Sequence, residues 1–258
     1  MGLITFLSDF GYRDHYVAAV KARILQLAPT VPVLDISHAV EPFNIAHALH
    51  VLQAVFRDFP AGTVHLVGVN DLGGPRAAWR AASFQGHYFV AADNGLLSLL
   101  CDGQPDELVT LAAATALTSS PTRDVLAPAA VHLAQGGLLE DLGPATTELY
   151  TLLNRQVRLQ DNRITVHVVH VDHYGNLVTN ITRPAVEVIG RNRPCTIHFA
   201  RETVREVAPH FQAADPGEVV CIFNSQQQLC IGINQGNAAE LLGLYFDSQV
   251  DVRFPNED

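Results

Sequence analysis

Apolar and polar positions along the chain follow two different rhythms. Through the first 150 residues, short β-rich runs at Leu3–Leu7, Val31–Ile36, Val64–Val69, Tyr88–Ala91 and Leu108–Leu111 predict strands. Helix-period segments lie between the first three. Val17, Val20, Ile24 and Leu27 recur at three- and four-residue spacing behind Asp14. Ile45, Leu49, Leu52 and Phe56 do the same behind Asn44. Asp14 and Asn44 both suit an N-cap, since their side-chain oxygens can take an orphan amide. A third helix is expected after Arg123 and a short one after Asn94. Strands joined by helix-length crossovers imply a mostly parallel sheet, so residues 1–150 read as an α/β domain. After Tyr150 the texture changes. Ile164–Val171 alternates, and short runs follow at Val186–Ile189, Thr196–Phe199, Val219–Phe223 and Leu229–Ile233, with turns such as Asp215-Pro216-Gly217 between them. That spacing predicts a small β-sandwich or barrel over 163–258, with one short helix near Ala238–Leu242.

Composition narrows the function classes. Of 258 residues, 48% are apolar and 16% charged, enough for a full core. The net charge of −10 argues against a nucleic-acid or anionic-membrane partner, either of which needs a basic face. No run approaches the roughly 20 apolar residues that span a bilayer, and the N-terminus does not read as a signal peptide. The four cysteines form no CxxC pair and read as reduced thiols of a cytoplasmic protein. Lys21 is the sole lysine beside fifteen arginines.

Candidate chemistry clusters at strand ends, where ligands bind in open α/β sheets. Ser8-Asp9-Phe10-Gly11 follows the first strand, Asn70-Asp71-Leu72-Gly73-Gly74 the third and Asp93-Asn94-Gly95 the fourth. Neither GxGxxG nor GxxxxGK[ST] is present, so a dinucleotide or P-loop phosphate cradle is missing. Asp9 could accept hydrogen bonds from vicinal ribose hydroxyls; the plainer reading is an Asp capping the next turn. In the second half, Asp172-His173-Tyr174-Gly175-Asn176 offers acceptors, donors and a stacking face, or simply an Asx-rich turn. Phe223-Asn224-Ser225 and Asn234-Gln235-Gly236-Asn237 form a further polar cluster at strand ends. Twelve histidines invite a metal, but His167 and His170 fall on opposite faces of one strand, so no metal site is expected. No GxSxG elbow supports a serine nucleophile.

Taken together, SDFGYRDHYVAAVKARI, DISHAVEPFNIAHA, FPAGTVHLVGV, DNGLL, RDVLAPAAVHLA, VDHYGNLVTNI and NSQQQLCIGINQGNAAELLGL resemble, in order and spacing, the S-adenosylmethionine hydroxide adenosyltransferase family. That family is related to S-adenosylmethionine-dependent chlorinases and fluorinases. The resemblance implies a Rossmann-like N-terminal domain, a C-terminal β-barrel, and a homotrimer that encloses a small-molecule nucleoside ligand between subunits. It implies that Asp9 binds the ribose and that Phe43 packs on the nucleoside. It also implies that Asp172, Tyr174 and Asn176 hold the adenosine, and that Ser225 and Asn234 lie in the stretch that reads the adenine. The implied reaction is attack of water at C5′, giving adenosine and methionine without a cofactor.

The sequence departs from the pattern at the water-activating groups. The hydrolase members resemble one another in an Asp in a V-D-P-G-V-G loop, an Arg seven residues later and a His in T-F-H-G-R-D. Here the Asp position falls on Asn70, the loop reads NDLGGPR, and the His position falls on Pro121. Asp71 becomes the candidate base after a one-residue shift, with Arg76 lowering its pKa and Asn70 orienting the water. The expected activity is an S-adenosylmethionine hydrolase with a substituted site. The alternative is a binding protein that kept the adenosine pocket without the chemistry. A halide-using transferase comes third: Asn70 matches neither branch, and the long insertion that marks the fluorinase is missing.

Overall fold

In the computed structural model, which describes residues 2–72, 78–112, 118–152, 157–160, 162–191 and 193–255, β1 (Ile4–Ser8) is buried at every position. Burial on both faces is what a central parallel strand requires. There follow α1 (Tyr16–Leu27), β2 (Val33–Ser37), α2 (Ile45–Val55), β3 (Val64–Gly68), β4 (Trp79–Phe84), β5 (His87–Ala92), α3 (Leu96–Leu100) and β6 (Glu107–Thr110). A π-turn at Thr122–Leu126 then runs into α4 (Ala127–Ala134).

The six strands are ordered β2-β1-β3-β5-β4-β6. The first four are parallel, while β4 pairs antiparallel with both β5 and β6. The sequence pattern missed β4. Its WRAASF stretch has no β-branched residue, and the pairing is set by a tight hairpin with Gln85 and Gly86 at φ +51° and +78°, the left-handed pair that a type I′ turn needs. The alternation of β1, β3 and β5 sends Ile4, Phe6, Val64, Leu66 and Val90 to one core with α1 and α4. It sends Leu7, Val67, Val69, Phe89 and Ala91 to the other core, with α2 and α3. Helices thus cover both faces, and loops at the carboxyl ends of β1, β3 and β5 emerge along one edge.

The second half contains β7 (Arg158–Gln160), β8 (Arg163–Val171), β9 (Leu177–Thr182), α5 (Arg183–Gly190), β10 (Thr196–Phe199), β11 (Glu202–Val204), β12 (Val207–Ala208), β13 (Val219–Phe223), β14 (Gln228–Ile233), α6 (Ala238–Leu242) and β15 (Gln249–Arg253). Its strands follow the order β11-β10-β15-β8-β9-β14-β13-β12, with β7 on β8, in a nearly closed barrel around Val166, Leu177, Ile231 and Val250. Chain contacts divide the protein into Met1–Leu153 and Asn154–Asp258.

Two expectations change. Val186–Ile189 is not a strand but part of α5. Pro184 sits in its first turn, Val186 is buried and Ile189 partly buried at helical spacing, while Val188 is exposed where strand alternation would bury it. The first helix begins after His15 rather than Asp14, and no side chain caps it. Asn44 does cap α2, accepting from the His47 amide at 3.0 Å. The four cysteines are free thiols, and no helix among the described residues is long and apolar enough to cross a membrane.

Candidate functional site

Asp9 is the first residue beyond β1, where the strand end presents its side chain to the loops of β2 and β3. Its Oδ2 accepts two backbone amides, from Phe43 at 2.9 Å and from Asn70 at 3.2 Å. Both donors have left-handed backbones, Phe43 at φ +64° and Asn70 at +45°. Asn tolerates that region, but for Phe it is an outlier costing on the order of 1–3 kcal/mol. The carboxylate offsets the strain by binding the two amides the strained turns present. Among the described residues no hydrogen bond engages Oδ1, which leaves that oxygen open to accept from a ligand. The Phe43 ring stands 71% exposed above it.

Asn94, after β5, locks the second of these turns. Its Nδ2 donates to the carbonyls of Val69 (2.9 Å) and Asn70 (3.2 Å), and its Oδ1 accepts from the Leu96 amide. Beneath it, Asp93 forms a buried ion pair with Arg80 at 2.9 Å and accepts from the Tyr150 amide at 2.8 Å. The segments after β1, β3 and β5 therefore converge, as their positions suggested. Asn70 contributes through its backbone.

Asp71 takes a distinct place. Its Oδ2 accepts from the Thr122 hydroxyl at 2.6 Å and from the Thr122 amide at 3.1 Å, so it caps the helix that opens at Thr122. Its carbonyl receives the Trp79 indole N–H at 2.8 Å. Thr122 approaches the end of β3 so closely that a Cβ on Gly68 would lie 2.8 Å from its Oγ1. Thus Asp71 and the Pro121–Thr122 corner, far apart in sequence, are neighbours. Arg76, the expected partner of Asp71, lies outside the described residues.

In the second unit, the loop between β8 and β9 is built by Asp172. Its Oδ1 accepts the amides of Tyr174 and Asn176, each at 2.9 Å, and its Oδ2 accepts Asn176 Nδ2 at 2.9 Å. Asp172 thus shapes the loop, and the residues it presents are Tyr174 and Asn176. Gly175 is required here. Its φ is +83°, and a Cβ would fall 1.9 Å from Asn237 Oδ1, while its carbonyl receives the Ala239 amide of α6 at 2.9 Å. Tyr174 and Asn176 line a largely apolar cavity of about 500 Å³ with Phe211, Ile233, Gln235, Gly236 and Asn237. A planar heterocycle suits such a pocket, with aromatic faces and a few amides.

Phe211 was not singled out from the sequence, since it sits in a stretch with no periodicity. Asn237 was legible as part of the Asn234–Asn237 polar cluster, and in the structure it also caps α6. Asn234 lies next to the cavity lining but spends its amide on the Ala214 carbonyl at 2.7 Å. Ser225 is in the turn between β13 and β14, at the end of β14 away from Ile233, and the structure does not bring it to this cavity. A larger hollow of about 760 Å³, lined by Tyr88, Asp106, Glu107 and Glu140 among others, opens beside the start of β5, the edge opposite the converging loops.

Comparison with known proteins gives a consistent picture. Residues 4–143 match the SAM hydroxide adenosyltransferase N-terminal domain, and residues 166–251 match the C-terminal domain of the same name. The chain is 32% identical to an (R)-S-adenosyl-L-methionine hydrolase of Salinispora tropica, covering 93% of this chain and 94% of that protein. A hydrolase of the same name from Thermus thermophilus is 33% identical, with 93% and 95% covered. A fluorinase of Nocardia brasiliensis is 26% identical, with 97% and 96% covered. Among solved structures, an uncharacterized conserved protein from Thermotoga maritima superposes with a TM-score of 0.88 at 30% identity, covering 97% of this chain and 99% of that one.

Proposed function

Because the chain belongs to the SAM hydroxide adenosyltransferase family, we propose that it hydrolyses S-adenosylmethionine at C5′, with Asp71 in place of the family's water-activating carboxylate. Water attacks C5′ from the side opposite sulfur. The C5′–S bond breaks with its electron pair going to sulfur, and adenosine, methionine and one proton result. The sulfonium is already a good leaving group, so the chemistry needs no cofactor. What it needs is an aimed, desolvated water and a proton acceptor. The observation that carries this reading is the Asp71 carboxylate. Thr122 holds its Oδ2, and Asp71 follows Asn70, whose amide donates to the Asp9 carboxylate.

In this reading Asp9 Oδ1 accepts the ribose hydroxyls, Phe43 covers the sugar, and Tyr174, Asn176 and Phe211 take the adenine. Each unit carries half of the ligand-reading groups. Tyr12, Phe43 and Leu72 in the first unit and Tyr174 in the second stand exposed, as expected if in a homotrimer the first unit of one copy meets the second unit of its neighbour. A halide-using transfer is disfavoured, because the Thr122 hydroxyl already donates to a carboxylate, and that carboxylate repels an anion.

The second reading, a binding protein without turnover, is favoured by one observation: Pro121 offers no side-chain donor or acceptor where the family's His would stand. Incubation with each sulfonium epimer of S-adenosylmethionine, followed by chromatography of adenosine and methionine, separates the two. Turnover that falls roughly 10²–10⁴-fold in Asp71→Asn supports the shifted carboxylate. Tight binding with no adenosine above the uncatalysed rate leaves only the binding protein.

A further inference from the structure

His38 lies just past β2, fully buried, edge-on to Phe6 at 4.7 Å and to Tyr12 at 5.6 Å. Its contacts run to one loop. Nδ1 is 2.7 Å from Ser8 Oγ, and Ser8 Oγ also receives the Phe10 amide at 3.4 Å. The His38 amide donates to Tyr12 Oη at 3.1 Å, and the His38 carbonyl accepts the Gly11 amide at 2.7 Å. Ser8 through Tyr12, the loop that carries Asp9, is therefore tied at both ends to one residue.

The hydrogen-bond roles follow from this. With the ring proton on Nε2, toward the Asp35 carboxylate, Nδ1 accepts from the Ser8 hydroxyl. Nε2 faces Asp35 Oδ1 at 3.1 Å, off the N–H axis, so the attraction is electrostatic rather than an aligned hydrogen bond. Asp35 is held in turn by Lys21, the sole lysine, whose Nζ donates to Oδ2 at 2.6 Å. Burial lowers the His38 pKa despite Asp35, so the ring is neutral at neutral pH, as that tautomer requires.

We propose that His38, anchored by Asp35 and Lys21, is a positioning residue that fixes the Asp9 loop for recognition of a ribose diol. This rests on the reading of Asp9 as the ribose-binding carboxylate. The Asp9 amide reaches the Gly68 carbonyl only at 3.4 Å, so beyond the bonds of the Asp9 carboxylate to Phe43 and Asn70 the loop backbone is placed by its ties to His38. Ser8 is fully buried, which excludes it as a nucleophile in this Ser-His-Asp array.

The test is calorimetric titration of the full-length protein with adenosine and with 2′,3′-dideoxyadenosine. The proteins are wild type, Asp9→Asn, His38→Leu, His38→Asn and Asp35→Asn, each checked for a cooperative melt. Wild type should prefer adenosine by about tenfold or more, and Asp9→Asn should lose that preference. His38→Leu should weaken adenosine several-fold and leave the dideoxynucleoside unchanged. His38→Asn, whose amide oxygen can stand in for Nδ1 opposite Ser8, should recover part of the difference. Asp35→Asn should fall between wild type and His38→Leu. If Asp9→Asn keeps the preference, the ribose reading fails and the proposal with it. If Asp9→Asn loses the preference while the His38 and Asp35 variants keep it, or weaken both ligands equally, positioning by His38 is overturned and the ribose reading stands. Should His38→Leu not fold, His38→Asn and Asp35→Asn decide by the same criterion.

Discussion

Acid should destabilise this protein through His65. The residue lies in β3, opposite Thr5 of β1 and Phe89 of β5, with no solvent exposure. Its Nδ1 is 2.7 Å from Thr5 Oγ1 and its Nε2 is 3.3 Å from His87 Nδ1. The ring stacks on Phe89 at 4.9 Å, with Phe56 and Phe59 edge-on. Burial, with a smaller contribution from the charge of His87, pushes its pKa from 6.5 down to about 3. Between these values the unfolded chain binds a proton that the folded one refuses. The contribution is therefore fully present above pH 6.5 and is lost as pH falls toward 3. At about 1.4 kcal/mol per pH unit, the loss between pH 7 and 5 is about 2 kcal/mol. The lowered pKa values of His38, His47, His87 and His198 act in the same sense, so the total slope is not diagnostic. The difference between proteins is. His65→Asn keeps an acceptor for Thr5 but removes the titrating ring. Urea unfolding of both proteins at pH 7, 6 and 5 should show the variant less stable at pH 7 but losing about 2 kcal/mol less across the range. Parallel pH profiles would refute the assignment.

Two other consequences are more local. Asp93→Ala leaves Arg80 buried without its charge partner and frees the Tyr150 amide, so it should cost about 3–5 kcal/mol, read as a fall in the urea midpoint. Gly175→Ala combines a left-handed backbone with a Cβ at 1.9 Å from Asn237; it should weaken adenosine binding at least several-fold in calorimetry while the far end of the barrel keeps its hydrogen-exchange protection.

Local pattern was enough to read the two rhythms, the helices flanking β1 and β3, and the identity of the loops that meet at the edge. Alternation and helical spacing are local consequences of which faces are buried, and strand-end polar residues have few other uses. Composition could not separate Val186–Ile189 as strand from helix, because β-branched residues suit either until burial shows that Val188 faces water. Nor could it reveal β4, whose place depends on the Gln85-Gly86 turn and the edge left free by β5. At the site, Asp9, Tyr174 and Asn176 were legible as residue types in a pattern. Other roles depend on groups distant in sequence: Thr122 on Asp71, Asn94 on the Asn70 turn, Phe211 in the cavity that Tyr174 lines, and His38 against Ser8. Such pairings carry no periodicity, since a single hydrogen bond between residues 24 to 51 apart leaves no trace in local spacing. The folded chain, by bringing the end of β3 against the helix that opens at Thr122, sets Asp71 beside Thr122, and its geometry shows that Asp172 spends both oxygens on building its own loop.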